Sequence, residues 1–209
     1  MGPSALIFDF DGVIADTEPL YWRAWADLLA AHGISLSWEH YCKFGRGVRN
    51  DIMLRRLPEV MSNPSILATL EKQMNAHKKM VWDWCSQQSP IPGPTVETLQ
   101  SLHGYWIGLV TTSDRGEVMS LLRTAGIDSC FRAFVFGEDC RHHKPDPEPY
   151  LLILKQLGVS RGIAFEDSDA GMKSASAAGL TPIRVDDPYR LPQIVARALT
   201  KSETAGGCC

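Results

Sequence analysis

Residues Ala5 to Glu18 read ALIFDFDGVIADTE, a short apolar run that stops at two carboxylates, Asp9 and Asp11, with one residue between them. Side chains alternate along an extended strand, so these acids point the same way only while the backbone stays extended, and Gly12 is placed to end that stretch. An unbroken apolar run of this length suits a strand covered on both faces, as in a parallel sheet, whose carboxyl end opens into a ligand crevice. A bare Asp-x-Asp is more often a solvated strand end, so its weight depends on what the rest of the chain brings to the same edge.

Beyond Glu18 the apolar period changes. Leu20, Ala24, Trp25, Leu28 and Leu29 share one helical face, with Thr17 in place to cap the helix, Pro19 tolerated in its first turn and Gly33 as its stop. Residues 34–86 read as helical, with Ile66, Leu70, Met74, Val81 and Trp84 as a stripe and no convincing strand. The breaker cluster Ser89-Pro90-Ile91-Pro92-Gly93-Pro94 ends this stretch, and strand-helix alternation then resumes. The apolar run 105–110 and the short stretches 133–136, 163–165 and 181–185 read as strands. Helices follow them over 115–125, over a segment with Tyr150, Leu151, Leu154 and Leu157 inward, over 172–178, and from about Tyr189. This order predicts an α/β fold, a doubly wound parallel sheet built from 1–15 and 88–209, with 16–87 as a helical insert.

The chain has 209 residues, 44% of them hydrophobic and 22% charged, which suits one sizeable core in a soluble globular protein. A net charge of -3 argues against a nucleic-acid surface, and no apolar run approaches the roughly 20 residues that span a bilayer. The six cysteines form no Cys-x-x-Cys pair, which suits reduced thiols in a cytoplasmic protein better than a disulfide frame or a zinc site. The start Met1-Gly2-Pro3 lacks the Ser or Thr of a myristoylation signal, and the closing Cys208-Cys209 is read as a frayed terminus rather than a lipidation tail.

Three strands end in polar residues at their carboxyl ends: Asp9 and Asp11, then Thr111, Thr112 and Ser113, then Glu166 and Asp167. A right-handed parallel sheet gathers such ends at one edge, and the loop carrying Lys144 enters the same edge. Four carboxylates brought together repel unless a cation compensates, and all-oxygen ligands with room for water suit Mg²⁺. The cation and Lys144 would attract a dianionic phosphate, with Thr111 and helix N-terminal amides offering hydrogen bonds to its oxygens.

With these motifs in this order, the chain resembles the haloacid dehalogenase superfamily, in particular phosphatases with a helical cap inserted after the first strand, near the beta-phosphoglucomutase and phosphoglycolate phosphatase branch. The resemblance implies that Asp9 is the nucleophile forming an aspartyl-phosphate and that Asp11 protonates the leaving oxygen and then activates water. It implies that Thr111 hydrogen-bonds the transferring phosphoryl group, that Lys144 neutralises charge, and that Mg²⁺ is held by Asp167, Glu166, Asp9 and the Asp11 main-chain carbonyl. Asp11, absent from true dehalogenases that lack the second aspartate, favours phosphorus chemistry over carbon-halogen cleavage.

The cap is expected to set specificity. Arg46-Gly47-Val48-Arg49-Asn50 resembles the basic, glycine-containing cap loop that contacts substrate in the phosphomutase branch, and a guanidinium there suits a second anionic group; a solvated basic turn is the alternative. Tyr21 stands where those mutases carry a histidine, so hydrolysis of a small phosphate monoester (a sugar phosphate, a phosphoglycolate-like acid or a nucleotide monophosphate) is preferred over phosphoryl return to a sugar. A phosphomutase is the alternative, and a non-catalytic binder of phosphorylated metabolites the lesser one. The expected partner is a small phosphorylated metabolite, the oligomeric state is left open with a monomer expected, and Trp22, Trp25, Trp82, Trp84 and Trp106 are read as packing residues. His142 and His143 are read as loop residues rather than metal ligands.

Overall fold

The structure, a computed structural model, describes residues 5–46 and 50–205 and the side chains of 5–46 and 52–200. Five strands, β1 (Ala5–Phe8), β2 (Trp106–Val110), β3 (Ala133–Val135), β4 (Gly162–Glu166) and β5 (Thr181–Arg184), form one sheet in the order β3-β2-β1-β4-β5, every pair parallel. The α/β expectation is borne out. Successive side chains of β1 enter opposite layers: Leu6 and Phe8 join one apolar cluster, Ala5 and Ile7 the other. A strand covered on both faces has no polar side to show, which is why its sequence is an unbroken apolar run.

After β1 come α1 (Glu18–Ala30), α2 (Trp38–Phe44), α3 (Asn50–Leu54), α4 (Pro58–Met61) and α5 (Pro64–Gln87), with no strand among the described residues of 31–92. Then α6 (Gly93–Ser101) leads into β2, α7 (Arg115–Thr124) follows it, α8 (Glu148–Leu157) precedes β4, α9 (Asp169–Ala177) precedes β5, and α10 (Leu191–Ala205) closes the order. The helices between β1 and β2 have no separate core. Tyr41, Met53, Leu70, Val81 and Trp82 belong to the same buried cluster as Phe8, Phe10 and Leu109, and Phe10 stacks on Trp82 at 6.3 Å. Lys78 on α5 reaches Asp114 (2.5 Å) and Glu117 (3.1 Å) beside α7, a second tie between these helices and the sheet layers.

Three details of the sequence reading are corrected. On α5 the buried face centres on Leu70, His77, Val81 and Cys85; Trp84 falls on its flank and stays 42% exposed, while Trp82 takes the buried place against Phe10. On α8 Tyr150, Ile153, Leu154 and Leu157 repeat at helical spacing, which turns Leu151 outward, half exposed. Thr17 makes no side-chain cap at α1, because its hydroxyl is committed elsewhere. Among the described residues no helix is long and apolar enough to cross a membrane.

His77 is buried against Trp25, ring centroids 4.0 Å apart, with neither ring nitrogen hydrogen-bonded among the described residues. Burial holds its pKa down to about 4. The unfolded chain therefore takes up this proton near pH 6.5 while the folded chain resists it, so stability falls as the pH drops through that window. Between pH 7.5 and pH 5 the unfolding free energy is expected to lose about 2 kcal/mol through His77 alone. Urea denaturation of the native and His77→Leu proteins at both pH values checks this: the variant should show the smaller decrease, and equal decreases would contradict it.

Candidate active site

The register of the sheet sets the strand tips level. Phe8 lies opposite both Leu109 and Phe165, so Asp9, the Val110-Thr111 step and Glu166 emerge together at the carboxyl edge. The chain is still tied at that edge by Asp9 N–H to Phe165 O (3.0 Å) and Thr111 N–H to Val135 O (3.0 Å). Beyond Asp9 it turns sharply: Ile14 and Ala15 N–H both donate to Phe10 O at 2.9 Å, and Gly12 adopts a φ of +71°. A Cβ at Gly12 would lie 2.2 Å from Asp167 Oδ2, so both its backbone angle and its neighbour require glycine.

Asp9 is 4% exposed; its Oδ1 accepts from Phe10 N–H at 2.8 Å and from Lys144 Nζ at 3.0 Å. Lys144 also donates to Glu166 Oε1 (2.5 Å) and to the Val110 carbonyl (3.2 Å), so all three donor positions of its ammonium are used. Burial works to lower the Lys144 pKa, but the Asp9 and Glu166 carboxylates outweigh it and hold the group charged. Tyr150, inward on α8, donates its hydroxyl to the same Glu166 oxygen. A Cβ at Gly171 would overlap the Glu166 carboxylate, at 1.9 Å, so α9 approaches closely over it.

Asp11 departs from the strand direction, as Gly12 foretells. Its Oδ1 accepts from Thr17 Oγ1 at 2.6 Å and its Oδ2 from Ser113 Oγ at 2.7 Å. Thr111 Oγ1 is 3.5 Å from the same oxygen, too far for a strong bond, and accepts from Ser113 N–H at 3.0 Å. Two hydroxyls thus orient a carboxyl group that is only partly buried.

Asp9, Glu166 and Asp167 each offer a carboxylate oxygen within 4.8 Å of the others. Asp167 is wholly buried, with Arg46 Nε donating to its Oδ2 at 2.6 Å and its Oδ1 taking no hydrogen bond among the described residues. Burial first, then the facing carboxylates (Glu166 for Asp9, Glu18 for Asp167), push both acids well above the ordinary carboxylate range. A buried oxygen without a donor among crowded acids fits a hard divalent cation.

Of the remaining candidates, Thr112 is half-buried on the turn after β2, and Tyr21 is buried on α1. Burial, then Asp11, raises the Tyr21 hydroxyl above its usual pKa. Gly47 and Arg49 lie outside the described residues, as do Cys208 and Cys209, and the Asn50 side chain is likewise not described. A second group of possible ligands, His142, Asp146 and Glu148, is mostly exposed; there Glu148 already accepts from the Arg141 and His142 N–H groups and pairs with the His142 ring.

The model of the family described as "Haloacid dehalogenase-like hydrolase" matches residues 6–185. The chain belongs to this family. Among curated family relatives, a "Phosphorylated carbohydrates phosphatase" of Thermotoga maritima is 31% identical over 95% of this chain and 94% of its own length. A "Fructose-1-phosphate phosphatase YqaB" of Escherichia coli is 30% identical over 87% of this chain and 96% of its own. The crystal structure of a beta-phosphoglucomutase from Clostridium difficile superposes with a TM-score of 0.71, covering 87% of this chain and 84% of that one at 24% identity, a likeness of fold.

Within this haloacid dehalogenase-like site, the sequence reading missed Glu18, Tyr41 and Tyr150. Glu18 is buried, and its Oε2 accepts from Tyr41 OH at 2.7 Å. Burial, opposed by that hydrogen bond and reinforced by Asp11, moves its carboxyl up to about 7. The signal was its place in Asp-Thr-Glu at the mouth of α1, where an acid faces unpaired helix amides. Tyr150 was legible as an inward residue, but nothing in its spacing told that its hydroxyl meets Glu166.

Proposed function

We propose that this haloacid dehalogenase-like enzyme is a Mg²⁺-dependent phosphatase of small phosphate monoesters, sugar phosphates first among them. The observation that carries the reading is the buried Asp9 carboxylate, oriented through Oδ1 by Lys144 and the Phe10 amide, with the hydroxyl-held Asp11 two residues on. The names of the Thermotoga maritima and Escherichia coli relatives, both sugar-phosphate phosphatases, support the substrate class.

In this reading an Asp9 carboxylate oxygen attacks phosphorus, the bond from phosphorus to the alkoxy oxygen breaks, and Asp11 gives that oxygen its proton. Asp11, now a carboxylate, takes a proton from water, whose oxygen attacks the phosphoryl group on Asp9 and releases inorganic phosphate. Thr17 and Ser113 keep Asp11 aimed through both steps, Thr111 hydrogen-bonds the phosphoryl oxygens, and Lys144 holds the excess negative charge. Mg²⁺, held by Asp9, Asp167 and Glu166 with the Asp11 carbonyl, would supply positive charge at the phosphoryl oxygens. Residues 16–87 act as the cap over the crevice, shaping the space around the leaving group and limiting water.

Phosphate release from a panel of sugar phosphates tests the reading. Turnover is expected with Mg²⁺, to fall at least about 100-fold on chelation, and to return when the metal is restored. Turnover that survives chelation would remove the metal from the mechanism. Conversion of beta-glucose 1-phosphate to glucose 6-phosphate without free phosphate, given a trace of the bisphosphate, would replace the hydrolase by a mutase.

A further inference from the structure

The turn after α2 brings Arg46 onto Asp167 at the sheet edge, 121 residues further along the chain. The pair is enclosed: the arginine side chain is 18% exposed and the aspartate carboxylate wholly buried. Asp167 Oδ2 has little freedom, held by Arg46 Nε on one side and backed by Gly12, where even a methyl group would strike it. Its other oxygen, Oδ1, is the buried one that no described group satisfies. Arg46 is itself braced by charge from the helical side, since its guanidinium lies in the field of the buried Glu18, which Tyr41 of α2 holds by a hydrogen bond.

Two features distinguish this from a surface ion pair of small worth. A fully buried carboxylate without its donor would have neither oxygen satisfied among the described residues, so the guanidinium on Oδ2 fixes its rotation. Arg46 also reaches Asp167 from the helices inserted between β1 and β2, whereas Asp9, Glu166 and Asp167 all stand at tips of the sheet. Groups that bond a metal-binding carboxylate from behind commonly govern affinity as strongly as they govern geometry.

We propose that Arg46 is a positioning residue for the cation site: it holds Asp167 Oδ2 and leaves Oδ1 to the metal, so that metal binding and docking of the α2 turn onto the sheet edge favour each other. The inference rests on the metal reading given above. Because linkage is reciprocal, a cation that binds better when the turn is docked also stabilises the docked turn. The guanidinium is then spent on the enzyme's own aspartate rather than on a second anionic group of the substrate.

The test is Mn²⁺ binding to the full chain without substrate, read from the electron paramagnetic resonance of the free ion, for the native, Arg46→Gln and Arg46→Lys proteins. The Kd is expected to rise at least about 10-fold in Arg46→Gln and by a smaller factor in Arg46→Lys, which keeps the charge but not the planar donor. Mn²⁺ is also expected to slow proteolysis of the segment 31–63 in the native protein and not in Arg46→Gln. Native-like or tighter Mn²⁺ binding by Arg46→Gln would overturn the proposal. If Arg46→Gln does not fold, the lysine variant carries the test, and a native Kd there would overturn it too. A native protein that binds no Mn²⁺ would instead overturn the metal reading itself.

Discussion

Asp9→Asn is expected to lower phosphate release from sugar phosphates by at least about 10⁴-fold, the scale seen when a nucleophile is removed from a set of groups that act together. The physical ground is specific to this position. An amide oxygen still accepts from Phe10 N–H, so the loop from Asp9 onward keeps its turn, but the amide has no lone pair charged enough to displace an alkoxide. Lys144 keeps its bonds to Glu166 and the Val110 carbonyl, and the fold should survive. Steady-state kinetics, with hydroxylamine trapping of the acyl phosphate in the native protein, measures the outcome. A variant retaining a tenth of native turnover would transfer the nucleophile's role to another group.

The second large effect is on stability as well as turnover. Among the described residues Lys144 is the one ammonium shared by Asp9 and Glu166, and all three groups are almost wholly buried. Removing one member of a buried charge cluster costs about 3–5 kcal/mol, because the partners are left charged and unsolvated or must take up protons. Lys144→Met keeps much of the side chain's shape and none of its charge. In the presence of chelator its urea midpoint should fall by an amount equivalent to that loss, and its turnover by at least about 10³-fold. Added Mg²⁺ should return part of the stability, since a cation near Asp9 and Glu166 relieves the same repulsion, but not the turnover. An unchanged midpoint would mean that Lys144 does not carry the charge balance of this crevice.

Most of the strands were readable because they are apolar runs too short for a helix and bounded by turn residues, and because parallel strands buried on both faces need no alternation; β5, Thr-Pro-Ile-Arg at the sheet edge, is the exception and was placed by the strand-helix order. The acids at the strand tips were readable for the same reason: polarity that interrupts such a run has to leave the sheet at its end. Where a helix touches two neighbours at once, periodicity alone ranked the wrong member. Trp84 and Trp82 are both large and apolar, and the choice between them was made by Phe10, which stacks on Trp82 from the loop after β1. Thr17 shows the same limit for polar groups. A threonine before a helix suits a cap by local rules, yet the Asp11 carboxyl group six residues back takes its hydroxyl instead.

Spacing of apolar residues and breakers is a local property, so the chain's own order of residues was enough for the α/β layout, the sheet edge where Asp9, Asp11, Thr111, Lys144, Glu166 and Asp167 collect, and the kind of chemistry such a collection suits. Contacts between distant segments are not written in spacing. Folding alone brought Arg46 to Asp167, Tyr41 to Glu18 and Tyr150 to Glu166. Each of these joins a donor and an acceptor that must find each other once water is excluded, and which pair meets depends on how the helices settle on the sheet.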